Sequence, residues 1–318
     1  MSRAFLLKDG KPRSMPSAEA EGIASDHDFL WLHLDGRDES AIATIQSDEG
    51  IPAIARSALL AHETRPRCAV LNGGALINLR GLGSTPEDDP DALVSIRMWA
   101  EKGRVITISF RSIAAYETVA ARFMNGEIFD PGDLIAAIAH EITDSLDPDV
   151  AALGDRLDDI ESALDGPPPA GLRRLVSEVR SQAISYRRFI APQRQAVERL
   201  AQTDFPWLEP ADHIHLREAA DRCARMAEEL EAVRERAALA HEELTDLRGE
   251  QLDRRSLIVS IVALIFLPVT FITGLLGMNV QGIPFAHQPW AFWGVFAFCV
   301  LIALAVGLSF AAARWLNR

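Results

Sequence analysis

The sequence predicts an α+β soluble domain, a mixed sheet with flanking helices, joined by a long stalk helix to two C-terminal transmembrane helices. Three observations predict it. Two uncharged apolar runs, 257–276 and 290–313, of 20 and 24 residues, close the chain. At 1.5 Å rise per residue, twenty helical residues cover about 30 Å, the thickness of a bilayer's hydrocarbon core. Ahead of them lies a sustained seven-residue apolar repeat, the pattern that packs helices side by side. Earlier still, residues 1–147 alternate strand-length apolar runs with helical stretches, punctuated by glycine turns.

In chain order, residues 5–7 and 29–34 are short apolar strand candidates. Residues 68–71 and 75–79 flank Asn72-Gly73-Gly74, a hairpin signal because glycine tolerates positive φ. Residues 92–99 and 104–110 flank Glu101-Lys102-Gly103, a second hairpin, with a polar, proline-containing loop over 81–90 between the two. Helices are expected over 38–47, 51–62, 113–125 and 133–146. The glycines match no phosphate-binding fingerprint and no nucleophile–base pair is visible, so a structural role for 1–147 outweighs catalysis and the chain is not read as an enzyme.

Residues 148–202 read as a helical hairpin. Pro148 suits a first helical turn, and Val150, Leu153, Leu157, Ile160 and Leu164 form one apolar stripe. Gly166-Pro167-Pro168-Pro169 breaks the helix, since proline lacks the N–H and clashes with the preceding turn. The stalk, 203–255, carries Leu216, Ala219, Cys223, Met226, Leu230, Val233, Ala237, Ala240, Leu244 and Leu247 at steps of three and four. One helix over 211–276 would be about 100 Å long. Its seam needs cover, from the preceding hairpin and from copies of the same chain.

The membrane hairpin, 256–318, has spans at 257–276 and 290–313 and an outer loop at 277–289. Arg254 and Arg255 precede the first span, Arg314 and Arg318 follow the second, and the loop carries no Lys or Arg. The positive-inside rule then places both termini in the cytoplasm. Trp290, Trp293 and Trp315 fall near the expected water interfaces. The first residues hold no apolar run suited to a signal peptide. Cys68, Cys223 and Cys299 are too few and scattered for a disulfide frame or a cysteine-rich metal site. The formal net charge of −13 argues against nucleic acid as a partner and suits a protein that gathers cations.

At the end of the first span the chain reads Pro268-Val269-Thr270-Phe271-Ile272-Thr273-Gly274-Leu275-Leu276-Gly277-Met278-Asn279. Gly-Met-Asn after the first of two C-terminal spans, beneath a long helix, resembles the signature of the CorA divalent-cation transporters. The continuation Val280-Gln281-Gly282-Ile283-Pro284, which has no acid, is similar to the zinc-transporting ZntB branch, as is Trp31-Leu32-His33-Leu34-Asp35. The resemblance implies a funnel-shaped homopentamer in the bacterial inner membrane, pore-lined by the first span. It carries no cofactor, only a transported divalent cation, Zn²⁺ ahead of Mg²⁺. Gly277, Met278 and Asn279 become the selectivity loop at the outer mouth, with five Asn279 amides forming a neutral ring that holds a hydrated ion without trapping it. For an isolated Asn, capping a turn would be the better reading.

Thr270, Leu267, Ala263, Val259, Ser256 and Asp253 recur at three- and four-residue steps, on one face of a helix. The resemblance makes Thr270 a polar pore ring, while Leu267 and Val259 suit apolar constrictions that gate by dewetting. Asp253, with Glu250, Asp246 and Glu242, stands at the cytoplasmic mouth as a metal-attracting group; a solvated face accounts equally well for Glu250 and Asp246. Zinc prefers His, Cys and carboxylate in tetrahedral sets, yet the membrane part offers only His287 and Cys299. Asp212-His213-Ile214-His215 draws the eye, but residues two apart diverge on a helix. Were transport proton-coupled, as the branch implies, His287 and Asp253 would be the nearest titrating groups. Two rival readings are a Mg²⁺/Co²⁺ transporter of the CorA type and a membrane-anchored sensor or scaffold that passes nothing.

Overall fold

A computed structural model of the chain describes residues 2–20, 29–61, 65–84, 93–166, 169–278, 283, 285 and 288–316, the backbone alone for 311–316. The chain divides into two units, Met1–His241 and Glu242–Arg318.

The first unit is built on a seven-stranded sheet. Its strands are β1 (Arg3–Lys8), β2 (Lys11–Pro16), β3 (Phe29–Asp35), β4 (Arg67–Leu71), β5 (Gly74–Leu82), β6 (Leu93–Glu101) and β7 (Arg104–Ser109). Their order is β2-β1-β3-β7-β6-β5-β4. Among the described residues only β3 and β7 pair in parallel, with His33 opposite Thr107 and Asp35 opposite Ser109; the other pairs are antiparallel. The hairpin at Asn72-Gly73 forms as expected, both residues at positive φ (48° and 82°), the backbone a two-residue turn of that twist requires.

The period of two along β3 splits its side chains between two layers. Leu30, Leu32 and Leu34 share a core with Ile45, Ile51 and Leu59 of helices α1 (Glu39–Ser47) and α2 (Ala53–Leu59) and the segment between them. Trp31 and His33 face the other way, against Tyr116 and Phe123 of α3 (Ala115–Met124). Thus the helices that follow the two parallel strands lie on opposite faces of the sheet.

Helices α4 (Pro131–Ser162) and α5 (Leu172–Gln202) pack against β5 and β4 and against each other. A helix start at Pro148 is not observed; α4 runs through it. The reason is burial: Ile135, Ile138, Ile142, Leu146, Val150, Leu153, Leu157 and Ile160 form one continuous buried stripe. That stripe holds the helix together across the missing N–H, whose loss costs about 3 kcal/mol. The segment after α5 docks on the sheet through Trp207, whose Nε1 donates to the Gly73 carbonyl at 3.2 Å.

Helix α6 (Pro210–Leu276) is continuous. Within the first unit its seam, Leu216, Ala219, Cys223, Met226, Leu230, Val233, Ala237 and Ala240, is buried at every position. Ion pairs flank it, Arg222 to Asp144 of α4 at 2.7 Å and Arg187 of α5 to Glu231 at 2.8 Å. The second unit holds the rest of α6, from Glu242, and α7 (Ala291–Leu316). Both are long and apolar enough to cross a bilayer, and their apolar windows are unburied.

Candidate ion pathway and acidic cluster

Within the second unit α6 has two unlike faces. Ile261, Ile265, Pro268, Val269, Ile272 and Leu276 are half-buried. Ile265, Val269 and Leu276 line an apolar groove shared with Ala291, Val295 and Cys299 of α7. Ser256, Val259, Ala263, Leu267 and Thr270 are exposed, Val259 by 67% and Leu267 by 71%. At about 100° per residue the centres of these two stripes stand roughly 170° apart. The predicted pore stripe is therefore the side of α6 turned away from α7.

Asp253 sits at the stripe's edge, roughly 80° from its centre by the same helical spacing. Glu242 lies roughly 60° away, Asp246 roughly 100° and Glu250 roughly 140°. All four carboxylates are exposed. Helix α6 thus gathers Ser256 through Thr270 on one line, brings Asp253 and Glu242 beside it, and turns Glu250 toward the α7 side. Pro268 leaves α6 unbroken, and Thr273 Oγ1 donates to the Val269 carbonyl at 3.0 Å. The helix ends at Leu276, with the Gly277 N–H bonded to the Thr273 carbonyl at 2.9 Å. Met278 is exposed. Asn279, Val280, Gln281, Gly282, Pro284 and His287 lie outside the described residues, as do the side chains of Arg314 and Trp315.

Sequence reasoning missed a second cluster. Asp130, Asp133 and Asp212 bring carboxylate oxygens within 4.8 Å of one another, where α4 and α6 begin. Asp130 caps α4, its Oδ1 accepting the Asp133 N–H at 2.9 Å. Asp133 Oδ2 accepts from Phe129 N at 3.0 Å, and Asp212 Oδ2 from Glu209 N at 2.7 Å. Asp212 is 1% exposed. Burial, with Asp130 and Asp133 alongside, pushes its carboxyl up to about 7, and burial raises Asp130 as well. Such an all-carboxylate set suits a shared proton or a hard cation rather than zinc. Gly132 makes the approach: a Cβ there would stand 2.0 Å from Asp212 Oδ2. The Asp212-His213-Ile214-His215 run does not act as one site. Asp212 points into this cluster, His213 Nδ1 bonds the Ala201 carbonyl at 2.7 Å, and His215 is exposed. The signal was Asp-Pro-Gly-Asp at a helix start, but Asp212 is some eighty residues further along the chain.

A sheet-and-helix unit followed by two exposed apolar helices, each long enough to cross a bilayer, has the layout of a two-span membrane protein. The chain belongs to the CorA-like family: the family model described as CorA-like Mg²⁺ transporter protein matches residues 26–312. Its relatives include the zinc transport protein ZntB of Pectobacterium atrosepticum, 32% identical over 313 residues, 98% of this chain and 93% of that one. ZntB of Klebsiella pneumoniae is 31% identical over 318 residues, 99% and 94% of the two chains. Among solved structures, the full-length CmaX protein superposes with a TM-score of 0.83 at 29% identity, over 98% of this chain and 97% of that one. The CorA magnesium transporter of Methanocaldococcus jannaschii shares the fold, with a TM-score of 0.80 at 18% identity over 98% and 97%.

Proposed function

We propose that this chain carries a divalent cation, Zn²⁺ as its main cargo, across the bacterial inner membrane. Several copies, five by family likeness, surround a shared axis with α6 lining the path. The observation that carries this reading is the exposed stripe Ser256–Val259–Ala263–Leu267–Thr270, opposite α7, in a chain 32% identical to a zinc transport protein. Two spans in one chain cannot enclose a water-filled path, whereas rings are the common arrangement for identical subunits. Thr270 supplies a hydroxyl ring, and Val259 and Leu267 supply rings that dewet and gate. Gly277, Met278 and Asn279 form the outer mouth, where amide oxygens hold a hydrated ion. Asp253 and Glu242 draw the ion toward the inner mouth, with Asp246 and Glu250 adding to the negative field. A cytoplasmic side at −100 mV favours entry of a divalent ion by about 4.6 kcal/mol. Where uptake is proton-coupled, His287 and Asp253 are the titrating groups nearest the path.

Uptake of metal into proteoliposomes holding the purified chain tests the proposal. Zn²⁺ flux that a Mg²⁺ excess fails to suppress is the expected result. Mg²⁺ flux with little Zn²⁺ would favour the magnesium reading, and no flux of any divalent ion would leave a membrane-anchored sensor in its place.

A further inference from the structure

The Trp31-Leu32-His33-Leu34-Asp35 strand leads to a part of the molecule that ion transport does not use. β3 and β7 are the parallel pair, and the helices after them, α1 and α3, lie on opposite faces of the sheet. Between the carboxyl ends of such strands the chain parts in two directions and leaves a crevice, the place where open α/β sheets bind ligands. Here that crevice is a cavity of about 120 Å³. It is lined by Arg3 at the start of β1, by Asp35 and Arg37 after β3, by Ser109, Arg111 and Ser112 after β7, and by Tyr116 and Glu117 of α3.

Its charge runs against that of the chain as a whole. Three guanidiniums face two carboxylates, in a protein whose formal net charge is −13. One of those carboxylates is already engaged. Arg37 grips Asp35 with two bonds of 2.9 and 2.8 Å, and this holds the Asp35 carboxyl well below the usual range. Among the described residues Arg3 has no carboxylate partner, and the buried Tyr116 hydroxyl has no hydrogen-bond partner. The floor is neutral: burial lowers the His33 imidazole to about 3, while its Nδ1 meets Thr107 Oγ1 at 2.8 Å and its ring stacks on Tyr116 at 4.1 Å. His33 therefore adds no charge, and the positive balance stays with the arginines at the rim.

We infer that this crevice binds a small oxyanion of the phosphate or sulfate class. The cavity has room for one tetrahedral anion. Guanidiniums arriving from three separate segments suit such an anion, because the planar guanidinium matches two oxygens at once, and among the described residues Arg3 has no carboxylate competing for it. Bound there, the anion ties β1, the β3–α1 turn and the β7–α3 turn together. The site lies wholly within the first unit and stands whether or not the transport proposal does.

The test is thermal unfolding of the purified full-length protein in detergent, titrated with sodium phosphate, sodium sulfate or sodium chloride at matched ionic strength. Phosphate or sulfate should raise the midpoint saturably, chloride should not. Arg3→Gln, on an exposed strand end, should weaken the apparent affinity at least fivefold. Asp35→Asn, which removes the competing carboxylate and frees Arg37, should strengthen it at least threefold. Tyr116→Phe keeps the ring stack and reports whether the hydroxyl joins the anion. A chloride response equal to that of phosphate overturns the proposal, as does a phosphate response that neither Arg3→Gln nor Asp35→Asn moves.

Discussion

Helix α6 carries the same pattern twice with opposite results. Between Leu216 and Ala240, apolar residues stepping by three and four are all buried. Between Ser256 and Thr270 the same steps yield an exposed line, with Leu267 at 71%. The difference lies in what surrounds each half. The first has α4 and α5 of its own chain as neighbours; the second has α7 on one side only. The periodicity announces that a face will be covered, and composition tells what covers it. Charged residues flank the first seam, so water bounds it, whereas the second stretch has none from Leu257 to Leu276 and is at home in lipid or against copies of itself.

Perturbing each half in turn sharpens that contrast. The largest effect is expected on flux from the mouth of the path. Asn279→Ala should change metal uptake tenfold or more while the elution volume in size-exclusion chromatography stays that of the parent chain. Next is packing in the covered half. Leu230→Ala, at a fully buried site, should cost about 2–5 kcal/mol in chemical unfolding of the first unit. Leu267→Ala, at an exposed site of the other half, should leave that transition in place and raise resting leak.

A smaller effect is tied to pH. Asp212 holds its proton in the folded state up to about 7, whereas in the unfolded chain it releases it near 3.8. The folded state binds more protons between these values, so stability present at low pH is lost as pH rises through about 4 to 7. Asp212→Asn should flatten that slope in denaturant titrations run across the window. The smallest effect is at the surface: removing Arg174, paired with Glu178 at 2.8 Å and largely exposed, should shift stability by about 0.5 kcal/mol or less.

Much of this was legible beforehand. The two spans, the seam and both glycine hairpins follow from periodicity and turn chemistry that act over a few residues. The edge strand β2 was missed, because Lys11-Pro12-Arg13-Ser14-Met15-Pro16 is polar and exposed, although Asp9-Gly10, both at positive φ, is itself a hairpin signal. Pro148 misled because a local rule about helix starts yielded to a buried stripe running the length of a 32-residue helix. Neither the Asp130–Asp133–Asp212 cluster nor the arginine-lined crevice could be read at all. Each joins residues from segments tens of positions apart, and only the sheet order and the helix starts bring them together.

Cysteine cross-linking in the membrane tests most directly whether the free stripe of α6 faces its own copies. In a chain with Cys68, Cys223 and Cys299 replaced, single cysteines would be placed at Leu267, Thr270, Ile265 and Ile272 and oxidised in native vesicles. The account predicts covalent dimers from positions 267 and 270 and none from 265 and 272, which lie toward α7. Dimers from 265 and 272 with none from 267 and 270 would contradict it.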